Sequence, residues 1–178
     1  MSTTFSLRHQ LARAAWQASW LLLCRWTPRP LHAWRAMILR LWGAKLGART
    51  HVYGGARIWA PWQLCLEDDA CIAETAEIYN VAPITLGRRS VVSQGAYLCT
   101  ASHDHRLESF PLTMAPIRLG ERAWVAARAI VLPGVTLGDG AVAGAGSVVT
   151  KDIPAGCTAA GNPARIVRQP QTEAKFQP

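Results

Sequence analysis

The sequence predicts an all-β fold, a single-stranded parallel β-helix of about five coils preceded by an α-helical extension. Three observations carry this. From Leu119 to Pro154 the chain repeats every six residues. Glycines at 134, 138, 140, 144 and 146 rule out an α-helix there. The same six-residue grid runs back to Leu46 and slips only between triplets of hexads.

Leu119, Val125, Val131, Leu137, Ala143 and Val149 open the six C-terminal hexads. The second residue of each is usually small, and the fifth is Ala, Ser, Val or Ile. A fixed period of six is that of a β-helix. Three hexads then make one triangular coil, with the opening residue inside and the fifth residue fitted into a corner. Leu46, Val52 and Ile58 open the first coil, Leu66, Ile72 and Ile78 the second, and Leu86, Val92 and Leu98 the third. The five coils are 46–63, 66–83, 86–103, 119–136 and 137–154. At ~4.8 Å per strand they stack roughly 24 Å high. The slips, at 64–65, 84–85 and 104–118, all fall on coil boundaries, so the insertions share one edge of the prism. The loop 104–118 is the one long departure, and a long loop on a regular scaffold is a place for function.

The N-terminal extension, residues 1–45, reads as two helices. Residues 5–26 contain no Gly or Pro and are rich in Ala and Leu, and Thr27-Pro28-Arg29-Pro30 ends them. In the second helix, 31–42, Leu31, Trp34, Ile38 and Leu41 form one stripe with Arg35 and Arg40 off it, and Gly43 follows as a C-cap. Residues 1–66 hold nine Lys or Arg and no Asp or Glu, whereas 67–178 hold ten against eleven, so the net charge of +8 comes from the first third. A basic, Trp-rich segment of this kind fits either a peripheral membrane contact or a cap over the first coil. No nucleic-acid-reading motif accompanies it. The apolar run Ala14–Cys24 is too short to span a bilayer. The β-helix domain runs from 46 to 168, and 169–178 read as a flexible polar tail. Five cysteines without a C-x-x-C pair read as reduced, mostly buried thiols of a cytoplasmic protein.

His103 closes the third coil just before the loop, where a rigid scaffold would hold it as a general base. A surface histidine in a turn is the alternative. His105, two residues on, would complete half a metal site, but a third ligand is missing nearby. Asp104 is placed to orient an imidazole or to sit on the surface. Lys151, Arg165 and Arg168 gather near the end of the last coil, where they suit phosphate binding or plain solvation.

The grid, Cys99-Thr-Ala-Ser-His103-Asp before the loop, Pro116-Ile-Arg-Leu-Gly-Glu-Arg-Ala-Trp124-Val, Gly144-Ala-Gly-Ser-Val-Val-Thr-Lys-Asp-Ile-Pro154 and Ala160-Gly-Asn-Pro-Ala-Arg165 resemble the hexapeptide-repeat acetyltransferases. These include the maltose, galactoside and nodulation-type sugar O-acetyltransferases. Trp42-Gly-Ala-Lys-Leu-Gly47 and Ile58-Trp-Ala-Pro-Trp62 are most similar to those named for colanic acid biosynthesis. The resemblance, over about 30–168, implies a left-handed β-helix, a homotrimer with active sites between subunits, and acetyl-CoA as acyl donor without a metal. It implies a sugar hydroxyl as acceptor, in an exopolysaccharide building block or a lipid-linked oligosaccharide. It places His103 on the catalytic histidine, and Trp124, Ala127, Ala145, Thr150, Lys151, Arg165 and Arg168 on the coenzyme A site. Asn80, Asp104 and His105 are the candidate acceptor contacts. Two galactoside-contacting positions depart from the family, reading Ala73 and Asn80-Val81. A γ-carbonic-anhydrase-like protein would need three zinc histidines in adjacent coils, and a non-catalytic solenoid would leave His103, Lys151 and Arg165 unexplained.

Overall fold

The computed structural model describes residues 5–170. Three parallel faces wind around one core. The first carries Lys45–Leu46, Leu64–Leu66, Ile84–Leu86, Ile117–Leu119 and Thr136–Leu137. The second runs from His51–Val52 to Val142–Ala143 and on to Thr158–Gly161. The third runs from Arg57–Ile58 to Val148–Val149. The register is the one the hexads set: Leu46, Leu66, Leu86, Leu119 and Leu137 lie on one another, as do Val52, Ile72, Val92, Val125 and Ala143. All of these except the half-buried Leu46 are buried, and the fifth-position residues Ala56, Ala76, Ala96, Ala129 and Ser147 are buried beside them in the corners.

The fourth residue of most hexads takes a left-handed backbone. Arg49, Asp69, Thr75, Arg89, Arg122 and Arg128 have φ between 50° and 61°, and Gly95, Gly134, Gly140 and Gly146 occupy the same corner position. Coils touch backbone to backbone where the second residue is glycine. A Cβ on Gly87 would come 2.6 Å from the carbonyl carbon of Gly120.

The prism exceeds the expected five coils. Ile153 bridges to Leu137, and Thr158–Gly161 pairs under Val142–Ala143, so the chain makes about six turns. Only three residues separate Val149 from Ile153. The last hexad is thus cut short, and Ile153 takes an opening position instead of a corner. Ala164–Arg168 then folds back antiparallel on Thr158–Gly161, a strand the hexad grid does not foresee. The insertion loop is also smaller than expected. Leu112–Met114 pairs antiparallel with Ala101–His103, and Ile117–Leu119 belongs to the first face, leaving 104–111 as the connecting loop.

Helices α1 (Leu7–Leu23) and α2 (His32–Leu41) lie over the open end of the first coil. Down the prism, amides donate to carbonyls of the next coil, as in Gly47 to Leu66, Tyr53 to Ile72 and Trp59 to Ile78. The matching carbonyls of the first coil have no coil before them. Side chains take that place: Arg40 donates to Leu46 and Gly47, Arg35 to Val52, and Trp16 to Ile58 at 2.7 Å. At the corner, Trp20 donates to Gly54 and Ala56, and Arg25 to Gly55. An edge made of acceptors calls for donors, which Arg and Trp supply and Asp and Glu do not. This gives the acid-free extension a structural cause.

It also corrects the helix stripe. Arg35 is fully buried among Ala36, Ile38 and Leu39, while Leu41 is 76 % exposed. The buried guanidinium is tolerable because it also donates to Thr27, Pro28 and Arg29. No helix among the described residues is long and apolar enough to cross a membrane. The proposed flexible tail lies, from residue 171 on, outside the described residues.

Candidate active site

His103 stands on a hairpin, not in the third coil. The chain leaves the grid after Thr100, whose hydroxyl donates to Tyr79 O and accepts from Ala82 N, pinning the hairpin's root to the coil above. Ala101–His103 and Leu112–Met114 then pair outside the prism, with His103 opposite Leu112. Ser102, at what would be a corner position, is exposed as a result.

The imidazole is held from two sides. Its Nδ1 lies 2.9 Å from the carbonyl oxygen of Phe110. A carbonyl only accepts, so Nδ1 carries the proton and Nε2 keeps its lone pair free. The Phe110 ring stacks on the imidazole, with centroids 4.6 Å apart and planes 11° apart. Phe110 itself has φ +45°, uncommon for a bulky residue, and this conformation turns its carbonyl back toward His103.

Asp104 does not orient the imidazole. Its carboxylate binds Arg106 through the backbone amide and the guanidinium, and these bonds hold it below the usual aspartate range. His105 is exposed. With Ser102, His103, Asp104, Arg106 and Thr113 it borders a shallow depression of about 390 Å³. Asn80 is not available as an acceptor contact. It is fully buried, and its amide spends both ends on Ala60, accepting from the N–H at 2.9 Å and donating to the carbonyl at 2.6 Å. It thereby links the second coil to the first. Among the described residues, no three His, Cys, Asp or Glu side chains come together as a metal site.

The other candidates lie elsewhere on the prism. Trp124 sits half-exposed on the second face, its indole N–H donating to Ser93 Oγ at 2.8 Å. Ala127 and Ala145 stack at the corner between the second and third faces, where Gly146 N–H donates to Ala127 O. Ala126 and Arg128 donate their amides to Ala143 and Gln94, whereas Ala127 N–H has no backbone acceptor among the described residues. Thr150 and Lys151 are exposed at the edge between the third and first faces, below the His103 hairpin. Lys151 and Arg165 border a depression of about 210 Å³ at the closing strand, which also carries Arg168. One chain therefore groups the basic residues with one another, but puts Trp124, Ala127 and Ala145 on a different edge from His103.

The family model described as the hexapeptide repeat of succinyl-transferase matches residues 116–151. Over 154 residues the chain is 43 % identical to WcaF of Escherichia coli (strain K12), a protein named for acetyl transfer in colanic acid biosynthesis. The match covers 86 % of this chain and 85 % of that one. The chain belongs to the hexapeptide-repeat acetyltransferases. Among solved structures, a maltose O-acetyltransferase from Clostridium difficile 630 superposes with a TM-score of 0.83 at 27 % identity, covering 93 % of this chain and 90 % of that one. A hexapeptide-repeat acetyltransferase from Vibrio cholerae, complexed with acetyl coenzyme A, gives 0.83 at 25 % identity over 94 % and 91 %. These matches fix the left-handed β-helix.

For this hexapeptide-repeat acetyltransferase, sequence reasoning missed Phe110 and Ser93. The signal for Phe110 was a single phenylalanine beside Pro111 in the insertion loop. Ser93 gives none, because it becomes Trp124's partner only when two coils stack.

Proposed function

We propose that the protein transfers an acetyl group from acetyl-CoA to a hydroxyl of a sugar, in a building block of an exopolysaccharide of the colanic acid kind. The observation that carries this is the free Nε2 of His103, with Nδ1 committed to the Phe110 carbonyl. Nε2 takes the proton from the acceptor hydroxyl, the oxygen attacks the thioester carbonyl, and coenzyme A leaves as the thiol. The Ala127 N–H, which has no backbone acceptor among the described residues, would receive the oxyanion. Trp124, Ala127 and Ala145 line the path of the thin pantetheine arm, where the small corner residues leave room. Thr150, Lys151, Arg165 and Arg168 hold the phosphates at its far end. His105 and Asp104, bordering the same depression as His103, serve the acceptor side.

Because His103 and Ala127 occupy different edges of one prism, the site requires a second copy, and a homotrimer supplies three such junctions. Light scattering that returns a stable, active monomer would end this arrangement. The outer side of α1 exposes Leu7, Leu11 and Leu22. With the neighbouring arginines, this surface supports a peripheral contact at the inner membrane in addition to the cap. Flotation with anionic liposomes at low salt tests it, and absence of binding leaves the cap alone. The function itself is tested by acetyl-CoA turnover across free sugars, nucleotide sugars and lipid-linked oligosaccharides. Acetylated product is expected with one of these classes, and no acetylated sugar from any of them would refute the reading.

A further inference from the structure

A wide groove lies between α1 and the third face, and none of the catalytic or donor-site roles assigned above uses it. It holds about 700 Å³. That is room for a ligand of several ring systems, more than one sugar ring needs. Its walls are aromatic, with Trp26, Trp59 and Tyr79, and Trp26 is 80 % exposed. Its charged residues are Arg13, Arg25 and Arg57 against the single acid Glu77. Glu77 offsets Arg57 only weakly, at 3.8 Å. The Arg13 guanidinium carbon lies over the Trp59 ring, 3.9 Å from its centroid. A guanidinium held against an aromatic face in the wall of a groove is suited to a phosphate oxygen.

The groove's aromatic floor leads coil by coil toward the hairpin that carries His103. Tyr79 packs on Trp59 at 5.6 Å, and Tyr79 pairs with Cys99, four residues before His103. With about 4.8 Å between coils, the aromatic floor is within two coils of the hairpin's root. A sugar at His103 would therefore have its carrier lying along this floor.

We propose that the groove binds the diphosphate carrier of the acceptor, so that the enzyme acetylates a sugar attached through a pyrophosphoryl group and not a free sugar. The phosphates lie on Arg13 and Arg57, and the apolar or planar remainder of the carrier lies on Trp26, Trp59 and Tyr79. This rests on the sugar-acceptor reading above and narrows it to one substrate class. A nucleoside diphosphate and a polyprenyl diphosphate present the same phosphates, and the experiment separates them.

Binding and turnover are measured with one hexose in three forms: free, UDP-linked, and linked to farnesyl diphosphate. Binding is followed by quenching of tryptophan fluorescence, without acetyl-CoA. One diphosphate-linked form is expected to bind at least tenfold more tightly than the free hexose, and which one identifies the carrier. Arg13→Gln and Arg57→Gln should each remove most of that advantage while leaving the KM for acetyl-CoA unchanged. Circular dichroism checks that both variants fold. Equal binding of all three forms overturns the groove assignment, even if a sugar is acetylated. Tight carrier binding without acetylation of any sugar would instead count against the proposed function and leave the groove assignment standing.

Discussion

His103 and Phe110, seven residues apart across the hairpin, are joined twice. Nδ1 donates to the Phe110 carbonyl at 2.9 Å, and the two rings stack at 4.6 Å. The hydrogen bond selects the tautomer and the stack limits rotation of the ring. A histidine outside the rigid coils thus acquires a fixed direction without a carboxylate partner.

If His103 is the general base, His103→Ala should lower kcat by ~10²–10⁴ with little change in the KM for acetyl-CoA. His105→Ala should cost far less, and a chelator should have no effect. Equal losses in both variants together with chelator sensitivity would point to a metal mechanism instead.

The two links to Phe110 can be separated. Phe110→Gly keeps the left-handed backbone accessible and removes only the ring, so kcat should fall about 2- to 10-fold, in line with ~0.5–1.5 kcal/mol for an aromatic pair. Phe110→Val puts a β-branched residue at φ +45° and should displace the carbonyl as well, giving the larger loss. Stopped-flow acetyl transfer on both variants decides this. A Gly variant slower than the Val variant would contradict it.

Lys151→Ala and Arg165→Ala should each raise the KM for acetyl-CoA by roughly 10-fold, about 1.4 kcal/mol, with kcat preserved. A fall in kcat at unchanged KM would remove both from the donor site.

The cap over the first coil predicts stability effects. Trp16→Phe keeps the ring but leaves the buried Ile58 carbonyl without its donor, at a cost of about 1–3 kcal/mol. For a chain of this length that lowers Tm by about 2–4 °C per kcal/mol. Arg35→Met strips donors from Val52, Pro28 and Arg29 together and should be worse. Thermal unfolding in which both variants match the wild type would show the capping bonds to be dispensable.

Stability should also depend on pH. Burial holds the His9 and His32 imidazoles below their usual range, His32 further through the charge of Arg35. The unfolded chain then binds protons more readily, so this contribution is complete above about pH 6.5 and is lost as pH falls through the lowered folded values. Urea midpoints between pH 7 and pH 5 should drop, and drop less in His32→Gln. An equal drop in that variant would exclude His32 as a source.

The sequence by itself determined the prism. Leu46, Leu66, Leu86, Leu119 and Leu137 stack as the hexads placed them, because a six-residue period leaves one side of each face to be buried and a one-residue slip would turn it outward. The grouping of Lys151 with Arg165 was legible for a similar reason, since the two lie close along the chain. Only the tertiary structure decided what lies between coils and over the prism's end. Arg35 reads as a surface charge until the first coil's carbonyls surround it. Asn80 reads as a ligand contact until Ala60 takes both its ends, and Phe110 reads as a loop residue until the hairpin folds it onto His103. In each case the deciding partner is remote or across a turn, and a hydrogen bond between such groups leaves no period in the sequence.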